Sequence, residues 1–182
     1  MCTLLVLDNG SVYTRNLLDF LSQEKINFMT LTHDKIQLSE IAKFSCFILS
    51  GRTKNNQNMN IINSKIIKHA VLEKKSLLGI CYGAEILALT LGGTIRKTKF
   101  PQRGNHMIVV IKNNPICTGQ LHVFESHSYE ISRLNNELFG IAKSEYCKYE
   151  IIQHKELDIF GTQFHPEMSA DGQKLIESFV HL

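Results

Sequence analysis

Apolar and polar positions follow two rhythms along the first half of the chain. Residues 3–7 form a short, nearly continuous apolar run of the kind that fills a strand buried on both faces. Leu17, Phe20 and Leu21 then recur at the spacing that lines one face of a helix. Residues 27–32 and 44–49 predict two further strands, and Ile62, Ile66, Ile67, Ala70 and Val71 predict a second helix. Residues 76–80 predict a fourth strand and 84–91 a helix closed by Gly92 and Gly93. Strands alternating with helices predict an α/β fold, doubly wound, with a mostly parallel sheet and helices on both faces.

After residue 94 the rhythm changes. Strand-like runs at 106–111, 121–124, 149–152 and 159–164 are joined by short connections, which predicts antiparallel additions to the sheet. Leu175, Ile176, Phe179 and Val180 give one side of a final helix. No internal repeat or break in composition interrupts the chain, so residues 1–182 are expected to form a single domain.

Composition narrows the function classes. Hydrophobic residues make up 43% and charged residues 20%, with only 3 Pro and 11 Gly, which excludes a disordered or collagen-like chain. A net charge of +3 is too slight to predict a nucleic-acid-binding surface. No apolar run reaches about 18 residues, and the N-terminal apolar stretch lacks a basic leader region, so no membrane span is expected and the cytoplasm is the expected compartment. Five cysteines without a C-x-x-C pair predict neither a disulfide framework nor a zinc site. The histidines lack ligand spacing, and no metal or cofactor is expected. Two basic clusters, around Arg52 and Lys54 and around Arg96, Lys97 and Lys99, read as solvated loops.

Two short motifs carry candidate chemistry. Gly79-Ile80-Cys81-Tyr82-Gly83 follows an apolar strand and precedes a helix, the thiol form of a nucleophile elbow. Glycines on either side permit the sharp turn, and the helix N-terminus predicts a lowered thiol pKa at Cys81 and free N–H groups for an oxyanion. Near the C-terminus, Gln163-Phe164-His165-Pro166-Glu167 ends another strand. Proline holds the residue before it in extended backbone, and residues two apart in extended chain point the same way. His165 and Glu167 are therefore expected to share one side, as base and orienting acid for the Cys81 thiol.

The pairing of GICYG with QFHPE resembles the class I (triad) glutamine amidotransferases over essentially the whole chain. The resemblance implies that Cys81, His165 and Glu167 are nucleophile, base and orienting acid in hydrolysis of the glutamine side-chain amide through a γ-glutamyl thioester. It also implies an oxyanion hole near Gly51 and at the Tyr82 N–H. Arg52 stands where the family has a second glycine, so a left-handed backbone in that loop would be strained here. Glu85 replaces a glutamine that contacts substrate in the family, and its charge is expected to raise the Cys81 pKa. Ser126 and His127 resemble a Ser-His segment beside the glutamine pocket in the GMP synthase branch.

The chain has no Walker-type phosphate loop, so an acceptor for the ammonia is expected on a separate ATP-using synthase. By resemblance that partner is the ATP pyrophosphatase subunit of GMP synthase. The 7–17 segment also resembles anthranilate and aminodeoxychorismate synthase glutaminases. A stand-alone γ-glutamyl hydrolase and a catalytically silent regulatory module remain further readings of the same residues.

Overall fold

The computed structural model describes residues 3–182. Its elements are β1 (Leu4–Asp8), α1 (Thr14–Gln23), β2 (Phe28–Thr32), β3 (Cys46–Leu49), α2 (Gln57–Leu72), β4 (Ser76–Ile80) and α3 (Tyr82–Thr90) in the first half. The second half contributes β5 (Thr94–Val110), β6 (Gln120–Arg133), β7 (Leu138–Lys143), β8 (Ile151–His154), β9 (Ile159–Thr162) and α4 (Ala170–Val180). Short 3₁₀ segments occupy Leu38–Lys43 and Pro166–Met168. The nine strands among the described residues lie in one sheet, ordered β2-β1-β3-β4-β9-β8-β7-β5-β6.

The strands from β2 through β9 in that order pair in parallel, and β8, β7, β5 and β6 extend the sheet by antiparallel pairing. Successive residues of a strand point to opposite faces, and the central strands use both faces for packing. Leu4, Val6, Ile48 and Leu78 pack with Leu17 and Leu21 of α1 and Ile176 and Phe179 of α4. Leu5, Leu7, Phe47 and Leu77 pack on the other side with Ile66 and Ile67 of α2 and Leu87 of α3. The doubly wound arrangement with antiparallel additions is thus borne out. Among the described residues, no helix is long and apolar enough to cross a membrane.

Several elements depart from these expectations, most of them in the second half. Strand β7 has no counterpart among the predicted runs, because Gly140 and the short apolar content of LFGIAK leave little pattern to read. The cluster of Arg96, Lys97 and Lys99 is not a loop but part of the 17-residue β5. Arg96 and Lys97 pair with Glu130 and Tyr129 of β6, while Lys99 falls where the register shifts before Gln102, so backbone pairing rather than an apolar face holds most of this stretch. Strand β6 runs on to Arg133, which places Ser126 and His127 within the strand rather than at its end. Strand β9 stops at Thr162, two residues short of the predicted run, and α3 starts at Tyr82, two residues early.

Candidate active site

At the end of β4 the chain turns so tightly that side chains are excluded. A Cβ on Gly79 would lie 2.4 Å from the Gly83 carbonyl oxygen, and one on Gly83 would lie 2.3 Å from the Leu49 carbonyl oxygen. Between them Cys81 adopts φ 51° and ψ −104°, a left-handed backbone that stores on the order of 1–3 kcal/mol when a non-glycine residue is held in it. Its N–H donates to Thr162 O at 2.7 Å, pinning the elbow to β9, and its C=O accepts from Glu85 N at 3.0 Å as α3 begins. The elbow read from the sequence is therefore present, with Cys81 at the junction.

Parallel pairing of Ile80 with Thr162 brings the ends of β4 and β9 to the same edge of the sheet. Three residues beyond, His165 is extended and Pro166 opens a 3₁₀ turn that carries Glu167 back beneath the imidazole. Nδ1 of His165 lies 2.9 Å from Oε1 of Glu167, and both residues are buried. A carboxylate can only accept, so Nδ1 carries the proton and Nε2 is left as the acceptor. The two side chains meet as expected, although Glu167 does so from a turn rather than from extended chain. The His165 N–H donates to Phe124 O of β6 at 2.8 Å, and the Tyr13 ring lies 4.5 Å from the imidazole.

Gly51 belongs to the same assembly for a steric reason. A Cβ there would stand 2.8 Å from Cε1 of His165, while its other neighbours, on Ser11, would be at ordinary distances. We expect Gly51→Ala to fold but to displace the imidazole. A shift near 1 Å at a reacting group costs about 10²-fold. Steady-state glutamine hydrolysis compared with thermal unfolding of the same variant checks this, and a variant with full activity excludes the contact as a constraint.

Cys81, Arg52, Tyr82, Glu85, Ser126 and His127 line one cavity of about 530 Å³. Burial pushes the Cys81 thiol well above its ordinary pKa, and the charges of Glu85 and then Glu167 push the same way. A hydrogen bond from the Tyr82 backbone opposes them and is outweighed. The lowering expected from the helix N-terminus is thus overturned: removal from water dominates the partial charge of the helix end. The resting thiol is neutral, and forming the thiolate requires a base to take the proton as the nucleophile attacks.

Burial also raises Glu85, against a hydrogen bond from Gln163 Nε2 (3.3 Å) and the charges of Arg52 and His127. Glu85→Gln removes a charge that raises the Cys81 pKa. Alkylation of Cys81 by a neutral electrophile should then reach its plateau at lower pH. A pH profile of alkylation followed by mass spectrometry tests the shift, and an unmoved profile would show that Glu85 does not govern the thiol.

Arg52 is not in the left-handed region, since the non-glycine residues with positive φ among those described are Lys25, Lys74 and Cys81. The strained loop expected at Arg52 is therefore absent. Its guanidinium instead stacks over the Tyr82 ring at 4.1 Å and donates to the side chains of Asn55 and Asn60. Asn60 also accepts from the Tyr82 hydroxyl at 2.8 Å. Burial pushes the Tyr82 phenol up to about 12. Ser126 accepts from the Tyr13 hydroxyl at 3.2 Å.

Several contributors carry no mark of their role in the sequence. Gln163, fully buried, donates to Glu85 and to Tyr129 O and accepts from Ile131 N, which ties α3 to β6. It lies inside the QFHPE motif, yet nothing in the motif shows which groups its amide bridges. Glu125 stands 2.9 Å from His127 within β6. Only the alternation of residues along that strand could have placed the two on one face.

The family model for glutamine amidotransferase class-I matches residues 5–182. A GMP synthase (glutamine-hydrolyzing) subunit of Thermococcus kodakarensis is 30% identical, over 98% of this chain and 97% of that protein. The GMP synthase (glutamine-hydrolyzing) of Thermosipho africanus is also 30% identical over 99% of this chain, which spans only 36% of that longer protein. The crystal structure of a candidate GMP synthase subunit from Thermoplasma acidophilum superposes with a TM-score of 0.88 at 27% identity, covering 100% of this chain and 93% of that one.

Proposed function

Because the chain belongs to the class-I glutamine amidotransferase family, we propose that it hydrolyses L-glutamine and delivers the ammonia to a separate ATP-using subunit of GMP synthase. The observation that carries the reaction is the meeting, at one sheet edge, of a strained thiol-bearing elbow with the buried His165–Glu167 pair. The Thermococcus relative supports the subunit reading: it is a GMP synthase (glutamine-hydrolyzing) subunit, 30% identical to this chain.

In this reading Cys81 Sγ attacks the side-chain amide carbon of glutamine as His165 Nε2 takes the thiol proton. Glu167 holds the imidazole by Nδ1 and stabilises the imidazolium that forms. The developing oxyanion is received by the Tyr82 N–H at the start of α3 and by the backbone around Gly51. His165 returns the proton to the departing nitrogen, which leaves as ammonia with the γ-glutamyl group held as a thioester. Water, deprotonated by His165, then releases glutamate and restores the thiol. A neutral resting thiol fits this scheme, because proton transfer and attack occur together.

The test mixes the purified chain with the ATP-using subunit of GMP synthase and follows GMP formed at the expense of glutamine. GMP formation that needs both proteins is the expected result. Partner-independent cleavage of γ-glutamyl peptides would favour a hydrolase instead, and absence of any glutamine turnover in the mixture would leave the silent-module reading.

A further inference from the structure

Behind the loop that leaves β3 lies a buried cluster of uncharged polar side chains. Asn9 after β1, Ser50 after β3 and Asn63 of α2 are 5%, 1% and 0% exposed. Asn63 Nδ2 donates to Asn9 Oδ1 at 2.8 Å and to Met59 O at 2.8 Å. Asn9 Nδ2 donates to Asn63 Oδ1 at 3.1 Å and to Ser50 O at 3.0 Å. The two main-chain carbonyls in this set can only accept, so each amide has one permitted orientation and uses both hydrogens of its nitrogen. The Asn9 N–H donates to Ser50 Oγ at 2.9 Å, which leaves the Ser50 hydroxyl proton for Gly51 O, also at 2.9 Å.

The bond from Ser50 to Gly51 joins neighbours in the chain and so cross-links no two elements. What it sets is the orientation of one peptide. That peptide is trans, so its N–H, which belongs to Arg52, points away from the carbonyl that Ser50 Oγ holds. Among the described residues, neither the Gly51 nor the Arg52 N–H finds an acceptor. Arg52 lines the cavity together with Cys81 and Tyr82, and Gly51 stands within steric reach of the His165 imidazole.

From these contacts we infer that Asn9, Ser50 and Asn63 are positioning residues that aim the Gly51–Arg52 peptide, so that the Arg52 N–H joins the Tyr82 N–H in receiving the oxygen of the substrate amide as it gains charge. The inference rests on the glutaminase reading above and names the groups that hold its oxyanion site ready. None of the three side chains lines the cavity, so they act through the peptide and not on substrate. None of them titrates, so the aim of the peptide is the same across the working pH range. Donors fixed before the reaction need no reorganisation as charge develops, which is what makes such a site effective.

The deciding variant is Ser50→Ala, which removes the donor to Gly51 O and leaves the amide pair in place; Asn63→Ala, which opens the pair itself, is the second. Glutamine turnover is measured with the intact chain and the ATP-using subunit of GMP synthase. Alkylation of Cys81 by iodoacetamide, a displacement at saturated carbon that develops no oxyanion, is measured beside it. Ser50→Ala should lower kcat about tenfold or more, approaching the roughly 10²–10³-fold cost of deleting such a donor outright. KM for glutamine and the rate of alkylation should change little. Asn63→Ala should follow the same pattern, and the double variant should be scarcely worse than the poorer single one, because both act on one peptide. Wild-type kcat in Ser50→Ala overturns the inference alone. So does a parallel fall in alkylation, which would move the effect to the elbow or its base. Absence of glutamine turnover in the wild-type mixture overturns the glutaminase reading, and the inference with it.

Discussion

Cys81→Ala is expected to abolish ammonia release from glutamine, lowering kcat by at least about 10⁴-fold, because loss of the attacking atom in a triad leaves only binding and oxyanion stabilisation. The fold should survive. The side chain is small and buried at the edge of one core cluster, and alanine can occupy its place while bearing the same left-handed φ. The expectation is sharpened by the other thiols. Burial pushes Cys117 up to about 11 and, with Glu150, raises Cys147 further, just as it raises Cys81, so what distinguishes Cys81 is its place on the elbow beside the His165–Glu167 pair rather than its acidity. A glutamine-analogue electrophile should label one site, Cys81, and should label nothing in Cys81→Ala. Peptide mapping that finds the adduct on Cys117 or Cys147 would remove Cys81 from the role.

The second large effect is a pattern across three variants. His165→Ala should cost about 10²–10⁴-fold in kcat/KM, the range for loss of a positioned general base. Glu167→Ala should cost less, since its carboxylate acts through the imidazole it holds at 2.9 Å. The double variant should be scarcely worse than His165→Ala, because with the imidazole gone there is nothing left for Glu167 to orient. Kinetics of all four proteins give the comparison. Losses that multiply would mean that Glu167 contributes independently, for instance through its charge on Cys81.

The half of the fold that surrounds the elbow is readable because its strands are buried on both faces and its helices carry clear apolar stripes. Leu5, Leu7, Phe47 and Leu49 turn to one side while Leu4, Val6, Cys46 and Ile48 turn to the other, and all are apolar. The hairpin of β5 and β6 is different. Much of β5 exposes both faces, so Arg96 and Lys97 are held by backbone pairing with β6 and Arg96 also by its 2.7 Å ion pair with Glu130, contacts that side-chain pattern does not record. At the site, motif spacing is enough to find Cys81, His165 and Glu167. It does not reveal the approach of Gly51 to His165 or the bridge made by Gln163, since each joins segments that only the folded sheet aligns. The thiol pKa departs in the opposite direction from the helix-end expectation for a related reason: a helix N-terminus is visible in sequence, and the depth at which it is buried is not.

The clearances at the elbow bear on what descent can and cannot change. Gly79 and Gly83 are each closed off by main-chain atoms at 2.4 and 2.3 Å, and neither restriction involves the thiol. A descendant that had lost all chemistry would still be held to both glycines by its fold, whereas position 81 would be released to drift, with glycine relieving the strain of its positive φ. Within a lineage of such chains, the two glycines therefore mark inheritance of the architecture, and the residue between them marks whether the chemistry was inherited too.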